Sequence, residues 1–178
     1  MLTESVRLRP AVAADAPAIA ALHVAVWRDT YRDLAPPEAA AALDVARRQA
    51  RWEATLADPA QTALVAEIDG ALAGFGLAGP PGDPAFGDRG EVKYLYVGRD
   101  FARRGIGRRL LAALASALAD QGYAALGLGV VVGNDPAIAF YEAQGGRRAG
   151  AYTDPGPLWR SPNLLYAWDD LTALAGRG

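Results

Sequence analysis

The sequence predicts an α/β fold, a mixed sheet with helices on its faces. Three observations carry that expectation. Strand-like and helix-like segments follow in the order β-α-α-β-β-β-α-β-α-β-β, without internal repeats and without regular βαβ alternation. Asp69-Gly70 between two apolar runs is a strong hairpin signal, so at least one strand pair is antiparallel. A length of 178 residues, 52% hydrophobic and 21% charged, is the profile of one domain spanning 1–178 that buries roughly 70% of its unfolded surface.

Each element has a local reason. Val6-Arg7-Leu8-Arg9 alternates and is closed by Pro10, a first strand. Asp15 stands as the N-cap of a helix near Pro17, and Ile19, Leu22, His23, Val26 and Trp27 continue it at helical spacing to about Thr30. Past Pro36-Pro37, residues 39–43 and 45–56 form a second helical segment. Residues 62–68 and 71–77 are the hairpin strands, and 79–84 is a loop on composition. The strand 91–97 is rich in Val, Tyr and Leu. A glycine-containing turn leads into a helix from about Gly105 to Gln121, with Ile106, Leu110, Leu111, Leu114 and Leu118 on one face and Gly122 as C-cap. Residues 124–132 form a buried strand. Asp135 as N-cap, followed by Pro136, begins a short helix that Gly145-Gly146 ends. Strands at 149–153 and 164–168, joined by the 155–162 loop, complete the chain.

Composition excludes several chemistries. Zero cysteines remove disulfides, thiolate metal sites and any thioester or disulfide mechanism, and one histidine, His23, leaves no His-rich metal site. A net charge of −2 argues against nucleic-acid binding by bulk electrostatics. Lys93 is the only lysine, and the arginine and alanine enrichment fits a GC-rich genome. Residues 1–26 superficially mimic a signal peptide, but Asp15 and Pro17 break the apolar stretch and no clean cleavage site follows. No apolar run approaches the ~20 residues of a membrane span. A cytoplasmic protein without membrane or nucleic-acid partners is expected.

The chemistry signal lies in Val97-Gly98-Arg99-Asp100-Phe101-Ala102-Arg103-Arg104-Gly105-Ile106-Gly107-Arg108. A strand ends, two glycines and a pair of arginines form a turn, and a long helix begins. The first amides of a helix lack intrahelical partners, and glycine lets an anion approach the backbone. Arg103, Arg104 and Arg108 add charge, so the segment reads either as a pyrophosphate site or as a tight turn with solvated arginines. A Walker loop would need a lysine after its last glycine, and a dinucleotide fingerprint would need glycine where Leu110 stands.

At this point residues 91–146 resemble the core of the GCN5-related N-acetyltransferases, the GNAT superfamily. Arg104-Gly105-Ile106-Gly107 matches the second half of the family loop Gln/Arg-x-x-Gly-x-Gly/Ala, with Ala102 departing at its first position. Leu95-Tyr96-Val97 matches the strand that pairs with the pantetheine arm. Asn134-Asp135-Pro136-Ala137-Ile138-Ala139-Phe140-Tyr141 is similar to Asn-x-x-Ala-x-x-Phe-Tyr, although Gly145-Gly146 lacks the aromatic usually paired with the following glycine. The resemblance implies a mostly antiparallel sheet splayed in the middle, between the Glu91 strand and the next. It implies acetyl-CoA as co-substrate, held by Leu95, Tyr96, Val97, Arg103, Arg104, Gly105, Ile106, Gly107, Arg108, Asn134 and Tyr141.

The implied reaction is acetyl transfer to a primary amine of a small molecule or peptide by direct attack in a ternary complex. The alternative is a non-catalytic acyl-CoA-binding or sensing domain. Tyr141 would protonate the departing thiolate, or would be core packing beside Phe140. Glu91 would accept the amine's proton, or would be a strand-end carboxylate replaced by a water relay. Backbone amides at a bulge around Leu95–Val97 would polarise the thioester carbonyl. Asn134 is a turn residue or a cofactor ligand. Trp27 and Tyr31, four apart on one helix, are core or acceptor-pocket lining; His23 is a packed or capping histidine. Arg147-Arg148 reads as a solvated turn and Asp169-Asp170 as surface. A homodimer is expected from the resemblance.

Overall fold

The hairpin signal becomes the turn between β2 (Thr62–Ile68) and β3 (Ala71–Gly79), where Asp69 and Gly70 take φ of 50° and 80°. Two consecutive left-handed residues give a tight turn whose twist matches that of the strands it joins. The computed structural model describes residues 5–178, and the start of the expected 1–178 domain lies outside the described residues.

The remaining strands are β1 (Val6–Pro10), β4 (Gly90–Val97), β5 (Leu126–Val131), β6 (Arg147–Asp154) and β7 (Ser161–Trp168). They form one seven-stranded sheet in the order β1-β2-β3-β4-β5-β7-β6. Every neighbouring pair is antiparallel except β4 and β5. That parallel pair touches only through Gly90↔Leu126 and Glu91↔Gly127, after which the strands diverge. The sheet is therefore splayed in the middle.

Helices cover both faces. On one side α1 (Ala16–Tyr31) and α3 (Val45–Ala57) bring Ile19, Ala20 and Trp52 onto Phe75 and Leu77. On the other, α4 (Ile106–Asp120) sends Leu111, Leu114 and Leu118 into the core with Leu126, Leu128 and Tyr166. The flanks of α5 (Asp135–Ala143) pack on that second core. Among the described residues, no helix is long and apolar enough to cross a membrane.

Several local expectations are corrected. Residues 37–57 are two helices, α2 (Pro37–Ala42) and α3, because Leu43 and Asp44 are extended and the Asp44 carboxylate caps α3 by accepting the Arg47 N–H at 2.8 Å. Asp15 precedes α1 without capping it; its carboxylate is engaged by Arg9 at 2.8 Å and by the Val12 N–H at 2.7 Å. Asp135 is the first residue of α5, with Asn134 at the cap position. Arg147 and Arg148 open β6 rather than forming a turn, and Arg147 pairs with Asp169 at 2.8 Å. A terminal helix, α6 (Leu171–Ala175), was not foreseen. Asp170 caps it by accepting the Ala173 N–H, and Leu171 and Leu174 dock on the α4 core.

Candidate active site

The turn into α4 has the geometry of an anion cradle. Arg103 and Gly105 both take left-handed backbone, with φ of 64° and 75°. Such a conformation is uncommon for arginine and is held where surrounding structure demands it. The first backbone bond of α4 runs from the Arg109 N–H to the Gly105 carbonyl at 3.1 Å. The amides of Ile106, Gly107 and Arg108 lie ahead of it, and these residues with Arg103 and Gly105 border a cleft of about 1050 Å³. Arg104 turns away. Its guanidinium lies 5.7 Å from the Phe101 ring centre and donates to the Asp100 carbonyl, so it does not border the cleft. Gly107 also lies close to α5, where a Cβ would stand 3.2 Å from Phe140. It brings α4 and α5 together.

The cleft runs on between the diverging strands. Leu95, Tyr96 and Val97 of β4 face Leu128–Val131 of β5 across it. The expected bulge at Leu95–Val97 is absent, since these residues pair regularly with β3. The irregularity lies at Lys93, which has no opposite residue because Leu77 pairs with Tyr94 and Ala78 with Val92. A bulge adds twist, and this one follows directly on the last β4–β5 pair, where the strands must part. It also resets which way side chains point. Val92 and Leu95 both pack in the α4 core while Tyr94 and Tyr96 pack toward α1 and α3. Without the bulge Glu91 would share the face of Leu95; with it, Glu91 shares the face of the tyrosines.

The start of α5 closes the slot. Asn134 borders the cleft and makes no capping bond with its side chain. Tyr141 meets Phe140 at 5.4 Å and Trp168 at 6.1 Å between ring centres. Trp168 also answers the glycine pair. A Cβ on Gly146 would fall 2.6 Å from its ring, so β7 supplies the aromatic that the local sequence lacks. The Tyr141 hydroxyl has no hydrogen-bond partner among the described residues and borders the cleft. Burial raises its pKa well above that of an ordinary phenol, with the nearby Tyr31 adding to the shift. It is a proton-bearing donor at neutral pH.

The opposite wall comes from α1, α3 and the 155–160 loop. The Trp27 and Tyr31 rings meet at 5.1 Å, tilted by 51°, and pack with Val24, Ala39, Leu43, Leu158 and Trp159. Both also border the cleft. His23 is packed: the Trp52 indole N–H donates to its Nδ1 at 3.1 Å, and burial, with Arg48 and Arg51 nearby, pushes its pKa down to about 2. The imidazole is neutral, with its proton on Nε2.

Glu91 borders not this cleft but an adjoining cavity of about 540 Å³. Its Oε2 accepts the Gly82 N–H at 2.8 Å and lies 3.7 Å from the Lys93 ammonium. Burial raises its pKa, the Gly82 bond and Lys93 oppose that, and Asp154 adds to it. Arg48, Arg51, Lys93, Tyr94 and Asp154 border both spaces and join them. Tyr152, pushed up to about 12 mainly by burial, lines the second cavity and accepts from Asn163 at 3.4 Å.

The acetyltransferase (GNAT) family model matches residues 23–146, from within α1 to just past α5. The chain belongs to the acetyltransferase (GNAT) family. It is 29% identical over 170 residues to the uncharacterized N-acetyltransferase YuaI of Bacillus subtilis (strain 168), which covers 95% of this chain and 96% of the relative. The fold matches the PaiA N-acetyltransferase of Thermoplasma acidophilum, solved with coenzyme A, at a TM-score of 0.75 and 17% identity over 93% of this chain and 99% of that one. It also matches yncA of Salmonella typhimurium, solved with its cofactor acetyl-CoA, at a TM-score of 0.67 and 22% identity over 92% and 93%. Acetyl-CoA is the co-substrate of GNAT acetyltransferases.

In this GNAT chain one cleft gathers Trp27, Tyr31, the β4 residues, the loop apart from Arg104, Asn134 and Tyr141. Glu91 stands next door. Arg48, Asp154, Tyr152 and Asn163 were not singled out from the sequence. Only Arg48 left a trace there, four residues before Trp52 on the inward face of a helix.

Proposed function

We propose that the protein transfers an acetyl group from acetyl-CoA to a primary amine of a small molecule or peptide, by direct attack with both substrates bound. The observation that carries this reading is the single cleft, in which a helix N-terminus, an open slot between parallel strands and an unpartnered tyrosine hydroxyl follow one another. The amides of Ile106–Arg108, with Arg103 and Arg108 beside them, fit a pyrophosphate, and the unpaired edges of β4 and β5 fit an amide-bearing arm. When bound, acetyl-CoA supplies an acyl carbon activated by a thiol leaving group.

The protein's part is positioning and proton handling. Holding amine and acyl carbon in one cleft replaces a bimolecular encounter. Tyr141 donates its hydroxyl hydrogen to the sulfur as negative charge develops there. A thiol has a pKa near 8.5 and an ordinary phenol near 10, so full transfer is uphill by about 2 kcal/mol before burial adds to it. Tyr141 therefore stabilises the thiolate by hydrogen bonding. Glu91 receives the amine's proton through water in the adjoining cavity, where its raised pKa suits a base. The lack of any cysteine supports direct attack.

Two measurements test the proposal. Acetyl-CoA should raise the melting temperature by mass action. A panel of primary amines should then release free CoA. No thermal shift would reject the cofactor site, and a shift without CoA release from any amine would make the protein an acyl-CoA-binding domain.

A further inference from the structure

α3 turns two side chains inward, Arg48 and Trp52. Packing accounts for Trp52, whose ring meets His23, Phe75 and Tyr94. Nothing in the fold accounts for Arg48. It is 7% exposed, yet its guanidinium meets no acceptor, carboxylate or aromatic ring among the described residues. His23 offers it no lone pair, because the Nδ1 of that ring already accepts from Trp52. No nitrogen of Arg48 is among the fully buried polar atoms left without a partner, so its guanidinium donors open onto the cavities rather than into the core, where a bound group can take them up. The side chain borders both the cleft and the adjoining cavity, and Arg51, one turn on, borders the same two spaces without a side-chain partner.

Carboxylates are present in those spaces but are held elsewhere. Glu91 is occupied by Gly82 and Lys93, and Asp154 accepts the Gly156 N–H at 3.0 Å. The junction of the two cavities thus has Arg48 and Arg51 from α3 on one side and Asp154 of β6 on the other, with Lys93 of β4 held by Glu91 in the adjoining cavity. A ligand that satisfies both sides carries an ammonium and an oxyanion.

Resting on the acetyl-transfer reading above, we propose that Arg48 is the specificity-determining residue for the acceptor, binding an oxyanion carried by the amine that is acetylated, with Arg51 beside it. The acceptor class is a zwitterion such as an amino acid. Its carboxylate lies on the fork of Arg48 and its amine faces Asp154 and the acyl end of the slot. Arginine suits this task because its planar donors match the two oxygens of a carboxylate or phosphate.

Three arms test it. Release of CoA is compared for L-leucine against isopentylamine, β-alanine against propylamine, and O-phosphoethanolamine against ethylamine. The wild type should favour the anion-bearing member by about 10- to 100-fold in kcat/KM, as expected for hydrogen bonds to a charged group. Arg48→Met should bring the ratio near one through KM, and Arg48→Lys should restore part of it. Preference for O-phosphoethanolamine over β-alanine would identify phosphate as the source of the oxyanion. A wild type that favours the plain amines would overturn the inference while leaving acetyl transfer standing.

The second arm needs no turnover. N-acetyl-L-leucine and inorganic phosphate are titrated into CoA-saturated protein, and at least one should raise the melting temperature of the wild type but not of Arg48→Met. The same response in both proteins, or none in either, would reject Arg48 as an anion site. In the third arm, the free Arg48→Met protein should melt within a few degrees of the wild type, because the guanidinium faces the cavities and holds no partner in the fold. A melting temperature lower than that would assign Arg48 to the fold instead.

Discussion

Along the β4–α4 side of the cleft, the groups offered to a ligand are backbone amides and strand edges, all drawn from one continuous stretch of about the middle third of the chain. Across from it, α1, α3 and the 155–160 loop offer side chains from segments far apart in sequence: Trp27, Tyr31, Arg48 and Asp154. On the proposed donor wall, what is offered is set by backbone conformation rather than by side-chain identity. On the proposed acceptor wall it is set by identity, since an indole, a guanidinium or a carboxylate cannot be replaced by backbone. Under the proposed function, a common acyl donor is kept while the acceptor changes by substitution on one wall.

The comparison breaks most sharply at Gly105. Valine there cannot hold a φ of 75°, so the amides of the loop would swing out of line. Acetyl-CoA affinity should fall by about 100-fold or more, the loss of roughly two hydrogen bonds to a charged group, measured by calorimetry. An unchanged affinity in a folded variant would remove the donor wall from its assigned role.

Tyr141 sits where the walls meet. Tyr141→Phe should lower kcat by about 10- to 100-fold, the worth of one hydrogen bond to a developing charge, and leave acetyl-CoA affinity within a few-fold. A loss confined to stability, with normal turnover per folded molecule, would return it to the core with Phe140 and Trp168.

Glu91 sharpens the contrast from the acceptor side. Glu91→Gln should lower kcat/KM by about tenfold, at the low end for a base because the proton crosses water. It should also remove an acid limb that lies above the usual carboxylate range, since burial raises the wild-type group. A pH–rate profile unaltered in shape would demote Glu91 to a support for the Gly82 loop.

The smallest effect concerns His23. Its folded pKa of about 2 lies below the unfolded value near 6.5, so both states are neutral above that value and share the same proton count. Below it only the unfolded chain takes up the proton, and stability falls as pH drops from about 6.5 toward 2. His23→Gln, which keeps an acceptor for the Trp52 N–H, should flatten that acid slope by a few degrees in melting temperature while acetyl-CoA affinity holds. An equally steep slope in the variant would place the acid sensitivity in the carboxylates.

Most of the architecture was legible because its determinants are local. The Asp69-Gly70 turn, the apolar stripe of α4, the glycines of the loop and the run from Asn134 to Tyr141 each work within a few residues of themselves. Even there a second constraint was out of view: Gly107 also lies against Phe140, a contact between two helices that no spacing within one helix reveals. The split at Leu43-Asp44 was hidden because both halves are helical in pattern. The short helix at Leu171–Ala175 was hidden because its stability comes from docking on α4.

The sequence by itself determined the strand and helix order, the donor loop and the tyrosine placed at its far end. Tertiary structure alone decided the bulge at Lys93, the Trp168 ring that lies against Gly146, and the junction that Arg48 and Asp154 both border. The physical reason is common to all three. Side-chain direction in a sheet reverses with one inserted residue, and the burial of a charge depends on which distant segments close around it. Neither is encoded in any window of neighbouring residues. The amine end of the cleft is therefore read from α1, β4, α3 and β6 together, and from none of them alone.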